Sequence, residues 1–292
     1  MAVITSDMVK DLRQRSGAGI MECKEALGET GGDMEAALDF LRKKGAAKAA
    51  KKADRSAKEG AVSGVVSGKT ATLVELKCET DFVGRNDLFQ KLAKDIASHV
   101  SASPFVEGEE AFFAQPFQGD KSKTIKDLLA SKIHELGENI VAGRRVRYDL
   151  SGPGGFGLYI HGAGNIGSLV ELGAASDAVA SSEKFQQVAR DLAMHVAAAN
   201  PLALSSEGIP ADILARERAI FEDQTRQSGK PENLIPKIVE GRIKKFYSES
   251  CLNEQAFIKD PDKSVGVLLK ETSKELGGEL TIRRFVRLQL GE

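Results

Sequence analysis

Residues 73–103 match residues 169–199 without a gap at a constant offset of 96, with 14 identities in 31 positions. Leu73-Val74-Glu75-Leu76 recurs as Leu169-Val170-Glu171-Leu172. Asp81, Val83, Phe89, Gln90, Ala93, Asp95, Ala97, His99, Val100 and Ala102 recur as Asp177, Val179, Phe185, Gln186, Ala189, Asp191, Ala193, His195, Val196 and Ala198. A second gapless match lays 124–150 on 264–290 at an offset of 140. It pairs Leu128-Leu129, Glu135-Leu136-Gly137, Arg144, Val146, Arg147 and Leu150 with their counterparts. A repeat of this kind constrains the fold more than any local signal, because one supersecondary unit must be built twice. The change in offset from 96 to 140 gives the second copy a net insertion of 44 residues.

Each copy reads strand, strand, loop, helix, helix, strand. In the first, strands are expected at 61–67 and 70–78, joined by Gly68-Lys69. A helix capped by Asn86 then carries Phe89, Leu92, Ala93, Ile96 and Val100 on one face. A second helix over 124–137 ends near Gly137, and a last strand covers 140–150. Strands mixed irregularly with helices predict an α+β fold, with helices on one face of a mostly antiparallel sheet. The insertion, 205–248, reads as a helical hairpin turning at Ser228-Gly229-Lys230-Pro231. Its narrow stripes are Ile213, Leu214, Ile220 and Phe221 on one arm and Ile235, Ile238, Val239, Ile243 and Phe246 on the other. They suit an antiparallel coiled coil.

Residues 4–45 read as three short helices that must pack on one another to persist. The third is capped by Asp33, carries Met34, Ala37, Leu38 and Leu41, and is expected to end at Gly45. The glycines of Ser16-Gly17-Ala18-Gly19 permit a tight bend. Ile20 and Met21, which follow, either offer a contact surface or complete the bundle core. From Lys43 to Lys58 the chain is rich in lysine and alanine, with no aromatic to stack on bases. It reads as a solvated linker or frayed helix, with an RNA or ribosome contact as the alternative. The expected division is 1–55 for the three-helix unit and basic linker, 56–151 for core module 1, and 152–292 for core module 2, interrupted by the hairpin.

Lysine plus arginine number 41 against 42 acids, so no global basic field exists for nucleic acid or an anionic membrane. Cys23, Cys78 and Cys251 form no CxxC, which argues against a disulfide framework or zinc knuckle and for a reducing compartment. The start resembles no leader, and no run approaches ~20 apolar residues, so a cytoplasmic protein is expected.

Catalytic motifs fail on context. Gly162-Ala163-Gly164-Asn165-Ile166-Gly167 spells G-x-G-x-x-G, but a strand follows it rather than a helix, so a hairpin turn is expected. The stretch 64–70 is one residue short of a phosphate loop and is also followed by a strand. His99 and His195 occupy equivalent places, which favours a structural role. No histidine has a partner at metal-ligand spacing. No catalytic residue, metal or cofactor is expected.

The duplication supplies an internal control. Copy one reads Glu79-Thr80-Asp81-Phe82-Val83-Gly84-Arg85 where copy two reads Ala175-Ser176-Asp177-Ala178-Val179-Ala180-Ser181. The large aromatic Phe82 stands opposite Ala178 in a loop between a strand and a helix, where loops carry function on a rigid scaffold. The bland alternative makes Phe82 local core and Asp81 a turn residue.

Thr80-Asp81-Phe82-Val83 resembles the signature loop of the bacterial translation elongation factor Ts family. The resemblance covers nearly the whole chain. It is also carried by Val9-Lys10-Asp11-Leu12-Arg13 with Gly17-Ala18-Gly19-Ile20-Met21-Glu22-Cys23-Lys24, by Ala193-Met194-His195-Val196-Ala197-Ala198, and by Gln227-Ser228-Gly229-Lys230-Pro231 with Val239-Glu240-Gly241-Arg242. It implies a UBA-like N-terminal bundle and a guanine-nucleotide exchange factor for the GTPase elongation factor Tu. In the family the aspartate-phenylalanine pair, here Asp81 and Phe82, enters the partner's G domain near its magnesium. The N-terminal contact with that domain would involve Arg13, Ile20, Met21 and Lys24. A contact of the second module with the partner's far domain would involve His161 and Ile258. Many relatives continue into a C-terminal helical module, and that contact is expected to be absent from a chain stopping at Glu292. Self-association through the hairpin is a further expectation.

Overall fold

The structure, a computed structural model, describes residues 4–292. Residues 1–3, with which the reading of the chain's start and of its first unit begins, lie outside the described residues. Helices α1 (Ser6–Ser16), α2 (Ile20–Glu29) and α3 (Met34–Lys52) come first. Thr5 caps α1 by accepting from the Met8 amide, and Gly17 stops it at φ 71°. Asp33 caps α3 through the Ala36 amide. Leu12, Cys23, Ala26, Leu27, Ala37 and Leu41 bury one another at the centre.

The third helix does not end at Gly45. It runs on to Lys52, so most of the basic segment is ordered helix rather than linker. Gly45 is buried within it, and a Cβ there would sit 4.0 Å from both Ala130 O and His134 Cβ. The glycine is a point of close helix approach, not a stop. Lys44 pairs with Glu25 at 2.6 Å, and Lys52 donates to Gly137 O. Packing on a distant segment holds the helix through a residue of low propensity.

Module 1 comprises β1 (Glu59–Ser67), β2 (Thr70–Cys78), α4 (Asp81–Gly84), α5 (Asp87–Ala102), α6 (Glu109–Phe113), β3 (Pro116–Phe117), β4 (Asp120–Thr124), α7 (Ile125–Leu136) and β5 (Val141–Asp149). Module 2 comprises β6 (Gly154–His161), β7 (Ile166–Ala174), α8 (Asp177–Ala180), α9 (Glu183–Ala199), α10 (Ala211–Gln227), α11 (Ile235–Ser250), β8 (Ala256–Phe257), β9 (Asp260–Ser264), α12 (Val265–Leu276) and β10 (Leu280–Gln289). Each builds a three-stranded antiparallel sheet, β1-β2-β5 or β6-β7-β10. The fold is α+β. The small β3–β4 and β8–β9 pairs and α6 were not expected, being too short to leave a periodic signal.

In module 1 the apolar face of α5 (Phe89, Leu92, Ala93 and Ile96) packs with Val74, Leu76, Ile125 and Ile133. The corresponding core of module 2 contains Val170, Leu172, Phe185, Leu192, Val265 and Ile282. The other faces of the two sheets meet through Val62, Leu73 and Leu288, with Leu158 and Ile160. The G-x-G-x-x-G segment is the β6–β7 turn. Gly164, at φ 101°, accepts the Val62 amide on its carbonyl at 2.7 Å, and a Cβ there would lie 2.8 Å from Val62 O.

Two polar devices recur in both modules. Glu75, fully buried, takes two bonds from the Arg144 guanidinium at 3.1 and 2.9 Å and one from the Arg144 amide at 3.4 Å, and Glu171 is held by Arg283 and Arg284. His99 and His195 are buried on α5 and α9, with Nε2 3.0 and 2.9 Å from Gln115 and Gln255 Oε1. Their Nδ1 atoms accept the Gln118 and Ile258 amides, so Nε2 carries the proton. Burial pushes both pKa values down against the opposing glutamine bond, as suits neutral rings fastening helix to hairpin.

Within the insertion, Ile213 and Leu214 near the start of α10 cluster with Phe246 and Tyr247 near the end of α11, while Arg226 at the end of α10 reaches Glu232 just before α11, so the two helices are antiparallel. Ile235, Val239 and Ile243 are buried against Leu214, Phe221 and Tyr247. Ile220 is exposed and leaves the expected stripe, whose seam is Leu214, Phe221 and Thr225 at spacings of seven and four.

Candidate functional site

The segment 80–83 is not an open loop. Thr80 lies two residues past the end of β2, and its Oγ1 accepts the Val83 amide at 3.4 Å, capping the single helical turn α4. Val83 packs toward the module core, and Gly84 is buried so closely on Gly60 that a Cβ would lie 3.0 Å from Gly60 O. These two anchors turn Phe82 outward, where it is 84% exposed. Phe82 is therefore not local core. Asp81 is exposed and lies 3.3 Å from Arg85. Copy two builds the same turn, α8, with Ser176 as cap, so the backbone belongs to the fold and the aromatic to copy one alone.

The turn is held from behind by Glu138, just past the end of α7. Its Oε2 accepts the Glu79 and Thr80 amides at 3.1 and 3.0 Å, and its Oε1 accepts the Thr80 hydroxyl at 2.6 Å. Glu79 in turn accepts the Asn139 amide at 2.7 Å, and the Asn139 side chain donates to Ala53 O and Arg55 O. Beneath them, burial first and the Glu138 carboxylate second push the Cys78 thiol up to about 12, so it stays a neutral thiol.

One turn earlier on α7, His134 Nε2 lies 2.6 Å from Glu22 Oε2. Burial would raise the Glu22 pKa, but bonds from Lys48 and His134 outweigh it and hold the carboxyl below its usual range. Glu22 belongs to the first turn of α2, so Ile20 (55% exposed) and Met21 (74% exposed) project from a helix start that is tied to α7. Lys24 and Arg13 are exposed on α2 and α1. The start of α2, through Glu22, and the 80–83 turn are thus both held at the C-terminal end of α7, by His134 and by Glu138 just beyond the helix.

The other two expected site residues stand on module 2. His161 is exposed at the end of β6, its Nδ1 3.1 Å from Tyr159 Oη. The turn after it reaches α4, since Gln90 Nε2 donates both to Ala163 O at 3.0 Å and to Gly84 O at 2.6 Å. Ile258, 38% exposed, is fixed elsewhere, by its amide on His195 of α9. Sequence reasoning missed Glu138, Asn139 and the Glu22–His134 contact. Extending the comparison of copies to the second block would have found the first two, since Glu138 and Asn139 stand opposite Gly278 and Glu279.

Among the described residues no group of His, Cys, Asp and Glu is placed to hold a metal ion, and no helix is long and apolar enough to cross a membrane. The three cysteines are free and buried.

A family model described as Elongation factor TS matches residues 79–292. The chain is 46% identical to elongation factor Ts of Lawsonia intracellularis over 294 aligned residues, covering 99% of each chain. It is 46% identical to elongation factor Ts of Trichlorobacter lovleyi, covering 99% of this chain and 93% of that one. For elongation factor Ts of Bdellovibrio bacteriovorus the identity is 44%, with 99% and 92% covered. A family match from residue 79 to the last residue, and relatives aligned over 99% of the chain, leave one conclusion: the chain belongs to the elongation factor Ts family.

Proposed function

We propose that this protein is a guanine-nucleotide exchange factor for elongation factor Tu, acting by binding rather than by bond chemistry, in the cytoplasm. The observation that carries the reading is Phe82, an aromatic turned into solvent on a short helix whose backbone is anchored on both sides. The turn 80–83 enters the partner's G domain near its magnesium, Phe82 wedging and Asp81 perturbing the ion or its water shell. Arg13, Ile20, Met21 and Lys24 contact the same domain, and His161 and Ile258 contact the far domain. In this reading 1–55 is a UBA-like unit, 56–151 and 152–292 are the two modules, and 205–248 is a coiled-coil hairpin able to mediate self-association.

An exchange factor binds the nucleotide-free GTPase better than the loaded one, and by linkage nucleotide and factor weaken each other equally. Burying one phenylalanine is worth about 1.5–3 kcal/mol. At about 1.4 kcal/mol per factor of ten, Phe82 supplies one or two powers of ten. The rest must come from the broad surface that strains the partner's domains. The alternative of an RNA contact through 43–58 loses support, because Lys44, Lys48 and Lys52 are engaged within the protein.

The test is release of a fluorescent GDP analogue from elongation factor Tu, followed with increasing concentrations of this protein. Release should accelerate and saturate. A release rate independent of its concentration would overturn the proposal.

A further inference from the structure

Glu138 binds the turn at three points, yet the equivalent turn of copy two closes without such an acid. In copy two the residue opposite Glu138 is Gly278, packed so close that a Cβ would lie 2.9 Å from the Ala175 Cβ. The turn α8 forms there all the same, capped by Ser176 on the Val179 amide at 3.3 Å. The same strand-to-helix corner thus closes without an acid in one copy and carries a three-bonded carboxylate in the other. The corner it grips is the one that bears the exposed aromatic.

The bonding pattern says what the carboxylate does. Oε2 ties down the two amides entering the corner, those of Glu79 and Thr80. Oε1 accepts a hydrogen bond from the Thr80 hydroxyl at 2.6 Å, which turns the lone pairs of Oγ1 toward the Val83 amide that it caps. Charge-assisted bonds of this type are shorter and stronger than neutral ones. The carboxylate therefore sets the orientation of α4, and with it the direction of Phe82. Glu138 is itself placed rigidly. It follows Gly137, which ends α7 at φ 80°, and precedes Asn139, whose side chain ties to Ala53 O and Arg55 O. Four residues before it, His134 holds Glu22.

We propose that Glu138 is a positioning residue for nucleotide exchange: it preorganises the 80–83 turn so that Phe82 meets the partner already aimed, and it does so from the helix end that also carries the N-terminal contact surface. The proposal rests on the wedge role given to Phe82 above. A turn held in one orientation loses less conformational freedom on insertion, so removing the clamp weakens the inserted state more than the initial encounter.

The experiment is release of the fluorescent GDP analogue from elongation factor Tu with the full chain, comparing Glu138→Ala, Glu138→Gln, Phe82→Ala and the Glu138→Ala/Phe82→Ala double variant. Thermal melts establish that each is folded. Glu138→Ala should lower the maximal release rate about tenfold, equivalent to about 1.4 kcal/mol, while the half-saturating concentration changes less than about twofold. Glu138→Gln keeps an acceptor oxygen for the two amides and should restore most of the rate. The double variant should fall no further than Phe82→Ala, because the clamp acts through that side chain. A wild-type maximal rate for Glu138→Ala, a loss confined to half-saturation, a glutamine variant as poor as alanine, or additive losses in the double variant would each overturn the positioning role. If Phe82→Ala alone leaves release unchanged, the wedge reading itself fails and this inference falls with it. If Phe82→Ala slows release and Glu138→Ala does not, only the inference fails.

Discussion

Replacing Phe82 by alanine should separate stability from function. The side chain is 84% exposed and lies outside the module core, so its removal takes almost nothing from folding. Surface substitutions of this kind stay within about 0.5 kcal/mol. Alanine is also the better residue for a helical turn, which makes a small gain as natural as a small loss. On the partner the balance differs, because the whole aromatic is available for burial. Its loss there removes about 1.5–3 kcal/mol of apolar burial. At about 1.4 kcal/mol per tenfold change, stimulated GDP release should slow between about ten- and a hundredfold. Phe82→Leu keeps much of the apolar area and should lose distinctly less. The assay pairs a thermal melt of the isolated variant with stopped-flow release of a fluorescent GDP analogue. A melting temperature lowered by several degrees would refute the reasoning, since it would mean that the ring supports the fold. Wild-type release would refute it from the other side.

Two predictions concern the scaffold. Arg144→Met removes the guanidinium from the buried Glu75, leaving it with Lys77 at 3.4 Å, and should cost about 3 kcal/mol by chemical denaturation. In the native protein burial would raise the Glu75 pKa, but the Arg144 bonds outweigh it, so the folded value is depressed. The stability this contributes is present above the ordinary carboxylate range and is lost as pH falls through the folded value. In the variant burial is opposed by Lys77 at 3.4 Å and the residue 144 amide without the guanidinium, so the loss of stability on acidification should shrink; unchanged acid sensitivity would contradict the assignment. Gly45→Ala should raise stability by up to about 1 kcal/mol in a thermal or denaturant melt, because the new methyl meets only ordinary contacts at 4.0 Å and helix propensity improves. Were 43–52 a frayed linker, the substitution would change nothing.

The elements legible in the chain are those whose causes are local. Asn86 accepts the Leu88 amide and opens α5. Gly137 closes α7 in the left-handed region, and Thr70–Cys78 emerges as the strand its pattern announced. Caps and periodicity act over a few residues and can be read without a partner. The duplication was equally plain, because an offset needs no geometry, and by contrast between copies it singled out Phe82. Three things were settled elsewhere. Gly45 looks like a helix stop until α7 packs against it and carries the helix seven residues further. Phe82, singled out as a contact, still left local core as the alternative, since exposure depends on which segments arrive to cover a side chain. Glu138 lies 58 residues from Thr80, and nothing local in either stretch announces the bond between them. The long helices and strands, the repeat and the unmatched aromatic were thus determined by the sequence itself. Which helix continues, which ring stays in water and which carboxylate aims it were decided by tertiary packing, because each depends on atoms that meet only after the chain has folded.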